Sequence, residues 1–300
     1  LVYGKTLDWF SDPTIIRSTI LTIVFAAAFF YMERSHHSPY FLMEVFRLRT
    51  INIGMVLFLL LMILNTSSMF VNVFTGVSME TDNWQNAALG NWSMLGYFIG
   101  AVIAIILGSR NVKLKYLFGI GFLLIGLSAL FMYFEVQTAG LYERMKYPVI
   151  IRSTGMMLIY SLTAVYANQR MPYKYLSTWI CIMLSVRMVI GPGIGSALYS
   201  NVLQERQQHY VTMFAQDVDR TDTQSAAAYD QTAQGMRWQG RSETEAENMA
   251  ALSTKGKVQV QATLSAVKEM SGWTFYGCMI AMLFVLIYPY KKRKLSAWRR

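Results

Sequence analysis

Seven runs of about 20 apolar residues, each nearly free of carboxylates, constrain this chain more than any other feature. A helix of that length crosses a hydrocarbon core, and in lipid a backbone must satisfy its own hydrogen bonds. The alternation of a membrane barrel is absent. The sequence therefore predicts an all-α polytopic membrane protein with seven transmembrane helices, over residues 14–32, 52–74, 89–108, 114–134, 148–169, 175–200 and 271–290.

The composition excludes several other classes of protein. The chain is 54% hydrophobic and only 15% charged, whereas soluble domains are about 25% charged. Its net charge of +10 could suggest nucleic acid, but the basic residues gather at the ends of the apolar runs, so the expected partner is the lipid bilayer and no nucleic acid. Cys181 and Cys278 both lie inside apolar runs, where we expect them to pack between helices as small hydrophobes.

The distribution of Lys and Arg predicts the orientation. Fourteen of them follow the first, third, fifth and seventh runs, and only three lie in the short segments of the other side. By the positive-inside rule, the C-terminus is cytoplasmic and loop 201–270 lies outside. The sequence thus divides into residues 1–50, an extra transmembrane helix with a cytoplasmic linker, and residues 51–300, a six-helix bundle with a long outer loop.

The sequence of the outer loop 201–270 predicts helix at both ends of the loop. Tyr210, Phe214 and Val218 repeat at helical spacing, as do Val260, Leu264 and Val267. Its middle, about 217–256, is polar and has few apolar side chains that could be buried. Two interpretations stay open, a solvated helical hairpin and a docking surface for an extracytoplasmic partner.

No pattern of a catalytic site is present in the sequence. We find no glycine-rich phosphate loop after a strand, no Cys-x-x-Cys and no His-Glu-x-x-His. His36, His37 and His209 all lie outside the predicted spans. The sequence predicts a protein that is not an enzyme and that needs no cofactor and no metal.

Three arginines fall inside the predicted spans, where a charge is costly and marks a candidate functional site. Arg17 and Arg152 lie within about a turn of the outer ends, so snorkelling to the headgroups is an alternative for both. Arg187 lies twelve residues into its span. We expect it at a substrate cavity or domain interface, with helix packing as the alternative.

Arg187 leads into the sequence Gly191-Pro192-Gly193-Ile194-Gly195. Small residues allow close approach of two helices, and proline permits a kink. Gly191, Pro192 and Gly195 therefore predict a flexible packing element beside a polar cavity. Further polar residues at membrane depth are candidates for that cavity, or else for hydrogen bonds between helices: Asn65, Asn72, Tyr97, Arg152 and Tyr160. Methionines among them favour a small amphipathic substrate, because their side chains adapt to varied shapes.

Several segments, in order, resemble one family. They are Leu7-Asp8-Trp9-Phe10-Ser11, then Pro39 through Phe46-Arg47-Leu48-Arg49, Arg187 through Gly195, and Ser200 through Tyr210. Together they resemble the C-terminal half of the 14-span drug:proton antiporters of the major facilitator superfamily, the Emr-type multidrug efflux transporters. The resemblance covers essentially the whole chain, from the eighth to the fourteenth helix. One departure is the loop 108–113, which lacks the acidic residue of the superfamily's cytoplasmic loops.

This resemblance implies part of a secondary active transporter in the bacterial inner membrane. It would export amphipathic drugs or toxic compounds by proton-coupled alternating access, against an N-terminal bundle missing from this chain. A periplasmic adaptor and an outer-membrane channel are the further partners it implies, contacted through loop 201–270. The alternative is a self-contained seven-helix membrane sensor or scaffold whose outer loop binds a partner.

The predicted orientation can be tested with single cysteines. In a Cys181→Ala, Cys278→Ala background, we expect Thr244→Cys to react with a membrane-impermeant maleimide in intact cells, and Ser109→Cys to react only after lysis. The reverse labelling pattern would invert the topology and remove loop 201–270 from the outer side.

Overall fold

The computed structural model describes residues 4, 9–35, 41–79, 81–110, 112–137, 140–168, 172–217 and 223–288. These residues form an all-α bundle without a strand, and seven of its helices are long and apolar enough to cross a membrane. The predicted fold class is therefore confirmed, and the chain is a multi-pass membrane protein. The basic tail, His36, His37, Leu7-Asp8 and the last residues of the fifth and seventh predicted spans lie outside the described residues.

Ten α-helices lie in the described ranges: α1 (Pro13–Ser35), α2 (Arg49–Asn65), α3 (Met69–Ser78), α4 (Asn83–Ser109), α5 (Leu114–Glu135), α6 (Lys146–Asn168), α7 (Leu176–Ser185), α8 (Gly191–Asp217), α9 (Thr223–Trp238) and α10 (Glu243–Ile287). Two of the seven spans are interrupted. A 3₁₀ turn, Thr66–Ser68, joins α2 to α3, and a π-helical segment, Val186–Ile190, joins α7 to α8. The other five spans are α1, α4, α5, α6 and α10.

Helix α6 lies at the centre of the bundle and packs against α2, α4 and α5. Glycines allow these close approaches. A Cβ atom added to Gly100 of α4 would lie 2.6 Å from the carbonyl oxygen of Thr154 on α6. A Cβ added to Gly155 of α6 would lie 2.6 Å from the carbonyl oxygen of Gly121 on α5. Helices that meet in lipid commonly pack through small residues in this way.

Helix α10 forms a second layer behind α5. A Cβ on Gly126 of α5 would approach the Cβ of Cys278 to 3.1 Å, and Cys278 is completely buried there. Its expected role as a small packed hydrophobe is confirmed. The same expectation is wrong for Cys181, which is exposed on the surface of α7, because its side of that helix has no neighbour in the described bundle.

Helix α1 stands apart from the bundle. Only 6% of its most apolar window is buried, and Ile15 is its one buried residue. Near its end, Phe29 meets Phe41 of the following linker edge to face, with ring centroids 6.4 Å apart. A helix that is apolar all round and largely unburied requires an apolar solvent, which agrees with its assignment as a membrane span.

The linker between α1 and α2 is anchored to the start of α7. Glu44 accepts hydrogen bonds from the Tyr175 hydroxyl (2.7 Å) and from Lys174 Nζ (3.3 Å). These bonds, that of Tyr175 foremost, lower the pKa of the Glu44 carboxyl. Nearby, the Leu42 N–H donates to Thr178 Oγ1 at 3.2 Å, and Val45 is fully buried.

The loop 201–270 is helical at both ends, as predicted. Helix α8 continues to Asp217, and α10 is one 45-residue helix that begins at Glu243, about 68 Å long and more than twice the thickness of a hydrocarbon core. Gln207 Nε2 on α8 donates to Thr263 Oγ1 on α10 at 2.6 Å. Helix α9 packs back onto α10, where Arg237 pairs with Glu243 at 3.0 Å. The described residues of 201–270 therefore form a helical hairpin.

The close contact between α4 and α6 generates a stability prediction. We expect Gly100→Ala to lower the free energy of unfolding by about 1–3 kcal/mol, because the new methyl group would overlap backbone. Gly90→Ala on the same helix is the matched control, since its Cβ meets no described atom within 4 Å and alanine favours the helix by about 1 kcal/mol. Thermal unfolding in nanodiscs measures the stability of both variants. Equal unfolding midpoints for the two variants would contradict the close packing of α4 on α6.

Candidate functional site

A polar stripe runs along α6 at membrane depth. Arg152, Met156 and Tyr160 are spaced four residues apart and so lie on one face of the helix. All three side chains are partly exposed. The stripe is about 12 Å long from its first residue to its last. Tyr97 of α4 contacts the stripe at Met156, and Arg187 of the π-helical segment contacts it at Tyr160.

Arg187 contacts the stripe at Tyr160. Its Nη1 donates to the Tyr160 hydroxyl at 3.0 Å, and its guanidinium carbon lies 4.8 Å from the centre of the same ring. The Tyr160 ring in turn packs against Phe58 of α2, with centroids 5.6 Å apart. Arg187 is otherwise exposed on the outside of the bundle. A hydroxyl and an aromatic face thus partner this charge, and they offset only part of the cost of placing it in lipid.

Arg152 occupies the other end of the stripe. Its Nε is buried and has no hydrogen-bond partner, and no ion pair of the described residues includes Arg152 or Arg187. Next to it, the Tyr97 hydroxyl donates to the Met156 sulfur at 3.8 Å, a weak acceptor. The buried Nε shows that this arginine folds against the bundle, so snorkelling to the headgroups does not account for the whole side chain.

Arg187 lies within the π-helical segment, and Pro192 explains why the helix widens there. Proline has no N–H to donate, and its ring would clash with the carbonyl of Met188 four residues earlier. The Gly191 N–H instead bonds to the Val186 carbonyl, five residues back. Single π-helical turns of this kind occur frequently at functional sites.

The glycines after the π-helical segment pack against the interruption of the other broken span. A Cβ on Gly191 would overlap the Cβ of Met62, and one on Gly195 would overlap Thr66 Oγ1 at the start of the 3₁₀ turn. The structure therefore places the two interrupted spans in direct contact at their irregular turns. Pro192 lies between the glycines and is exposed.

The structure brings together four of the six predicted cavity residues, Arg152, Tyr97, Tyr160 and Arg187. The other two lie elsewhere. Asn65 ends α2 and is partly buried, and Asn72 is exposed on α3. In the part of the chain that the structure describes, neither forms a hydrogen bond with the stripe.

Two further residues contact the site: Met156 between the stripe's ends, which the sequence reasoning named only among several methionines of the predicted pocket, and Phe58 behind Tyr160, which it did not name. A signal existed for Met156, because it lies four residues from both Arg152 and Tyr160 on a predicted helix. No sequence signal indicated Phe58, since it lies on another helix in a wholly apolar run.

No family model matches the chain, and no curated protein matches it. The polar stripe and the paired helix interruptions are therefore the observations from which a function is inferred.

The contact between the interrupted spans generates a second prediction. We expect Gly191→Ala to lower the thermal midpoint clearly, since its methyl group would press on Met62 and lie 2.7 Å from the Val186 carbonyl oxygen. Gly193→Ala, two residues away, meets no described atom within 4 Å and serves as the control. If both variants unfold at the wild-type temperature, these glycines do not hold the two spans together.

Proposed function

We propose that this chain is part of a secondary active transporter that exports small amphipathic compounds across the bacterial inner membrane. In this proposal it is the C-terminal portion of an Emr-type antiporter of the major facilitator superfamily, and it works by proton-coupled alternating access against an N-terminal bundle. The polar stripe on the open face of α6 is the observation that carries the proposal.

The energetics of Arg187 support a polar surrounding for that face. An arginine at the centre of a membrane helix costs about 2.5–3.5 kcal/mol even when the membrane adapts to it. Arg187 is exposed and has only Tyr160 as a partner among the described residues. A water-filled cavity, or the polar surface of a second bundle, removes most of that cost. Both are features of transporters whose substrate site lies between two bundles.

The two interrupted spans support the same mechanism. Alternating access is largely a rigid-body rocking of one bundle against another around a fixed site, and interrupted helices commonly form that site. The π-helical segment at Val186–Ile190 contacts α2 and meets the stripe through Arg187, and the 3₁₀ turn at Thr66–Ser68 contacts α8, which begins directly after that segment. A change in one turn would therefore be transmitted to the other and to Arg187.

The outer helical hairpin is the proposed contact for a periplasmic adaptor and an outer-membrane channel. Helices α8 and α10 extend out of the membrane as one packed unit, held by Gln207–Thr263 and by the ion pair of Arg206 with Glu269 at 3.5 Å. A hairpin of this length reaches well beyond the headgroups, where a soluble partner can bind it.

The sensor alternative is disfavoured by the exposure of two spans. Helices α1 and α4 have only 6% and 11% of their most apolar windows buried. Their exposed surfaces leave room for a second bundle, which a transporter of two bundles requires and a self-contained sensor does not.

Drug accumulation tests the proposal. In cells that make the full-length protein, we expect efflux of an amphipathic compound that stops when the proton gradient is collapsed. Arg187→Ala should lower the initial efflux rate about tenfold or more, because a hydrogen bond to a charged group is worth about 1.5–3 kcal/mol. The efflux rate of Tyr160→Phe, which keeps the ring and loses the hydroxyl, should lie between those of the wild type and Arg187→Ala.

Arg144→Ala is the control for loss of one positive charge, since Arg144 is exposed and pairs only with Glu135 among the described residues. Membrane abundance is measured for each variant. Wild-type cells that accumulate every compound as empty cells do would overturn the efflux proposal. Full efflux by Arg187→Ala at normal abundance would remove Arg187 from the mechanism.

A further inference from the structure

We infer that the polar stripe binds an amphipathic organic anion, with the anionic group held by Arg152 and the apolar body lying along Met156 and Tyr160. This inference rests on the proposed function and names the charge class of its substrate. It follows from the balance of charge on the stripe and from the unused donors at Arg152.

The charges on the open face are all of one sign. Helices α4 and α6, and the α7–α8 span as far as Tyr199, contain no Asp or Glu. The nearest described carboxylate along the chain before α6 is Glu143, outside the stripe, and Glu135 is paired with Arg144. A cationic ligand on this face would meet two arginines and no counter-charge, whereas an anion would be attracted by both.

Arg152 is the arginine of the pair that has no hydrogen-bond partner among the described residues. Arg187 already uses its guanidinium on the hydroxyl and ring of Tyr160. Arg152 has a buried Nε without a partner. A guanidinium presents its donors in a planar fork that matches a carboxylate or sulfonate, and such bidentate pairs are the strongest hydrogen bonds of this kind. An anion on the open face would neutralise the Arg152 charge and accept hydrogen bonds from the exposed part of its guanidinium.

Tyr97 supplies a second donor beside Arg152. Its hydroxyl donates to the Met156 sulfur at 3.8 Å and is partly exposed. A thioether is a weak acceptor, so rotating the hydroxyl toward an anionic oxygen would exchange a weak bond for a charge-assisted one.

The apolar body of the ligand is accommodated by the rest of the stripe. From Arg152 to Tyr160 the face is about 12 Å long, with one flexible methionine and one aromatic ring as its surface. A naphthyl group or a medium alkyl chain fits within that length. Met156 can adapt to either shape, and the ring can stack on an aromatic ligand.

A carboxylate at Arg152 could come from a bound ligand or from an acidic side chain of a protein segment that packs on this face. The chemistry is the same, and ligand binding by variants separates the two sources.

The full-length protein is placed in phosphatidylcholine nanodiscs, which carry no net surface charge. Saturable binding of tritiated 1-naphthoate is compared with binding of 1-naphthyltrimethylammonium, a cation with the same ring system.

We expect the wild type to bind 1-naphthoate more tightly than the cation. Arg152→Gln should weaken 1-naphthoate binding about tenfold or more without weakening the binding of the cation. Arg152→Lys should retain part of the affinity for 1-naphthoate, because it keeps the charge but loses the planar pair of donors that binds a carboxylate bidentately. Arg144→Gln, an equal loss of charge at an exposed site, should bind 1-naphthoate as the wild type does.

Two results would overturn the inference. One is a wild type that binds no 1-naphthoate saturably, or no better than the cation. The other is an Arg152→Gln variant with unchanged 1-naphthoate affinity and a lowered thermal midpoint, which would assign Arg152 to a side-chain carboxylate. Proton-dependent efflux of cations and anions alike would leave the transporter proposal standing without this inference. Arg152-dependent 1-naphthoate binding without any efflux would support this inference and overturn the transporter proposal.

Discussion

The close contacts of α6 with its neighbours are the constraint on which the rest of the structure depends. In lipid, helices gain little by hiding apolar surface from one another, so their association depends on how closely their backbones approach. Gly100 lets α4 approach α6, and Gly121 with Gly155 joins α5 to α6. Helix α10 then packs on the far side of α5. These contacts hold α6 in the middle with one face turned away from α5.

That arrangement gives the open face of α6 its chemical character. Arg152, Met156 and Tyr160 lie along it, and Arg187 reaches it because the π-helical segment passes beside Tyr160. The proline that widens α7–α8 and the glycines that seat it on α2 are therefore part of the same feature as the charge. The positive groups, the unpartnered donor and the adaptable apolar surface are the features on which both the efflux proposal and the anionic ligand rest.

Much of the candidate site could be predicted from sequence, for reasons that differ between residues. Arg187 stands out because a charge deep in an apolar run is expensive wherever it lies. Pro192 and its flanking glycines indicate an irregular helix by their backbone chemistry alone. Asn65 and Asn72 met the same criterion of polarity at membrane depth, yet one ends a helix and the other is exposed on α3. Polarity indicates that a residue needs a partner, but the rotation of its helix decides which partner it meets.

The sequence by itself determined the seven spans, their helical form and the helical ends of the loop 201–270, because each depends on the length of an apolar run or on a short periodicity. Only the tertiary structure decided that Arg187 meets Tyr160, that Gly191 and Gly195 lie against Met62 and Thr66, and that Cys278 is buried while Cys181 is not. These contacts join residues far apart in the chain. They depend on how each helix is rotated about its own axis, and an apolar run of nearly uniform hydrophobicity does not encode that rotation locally.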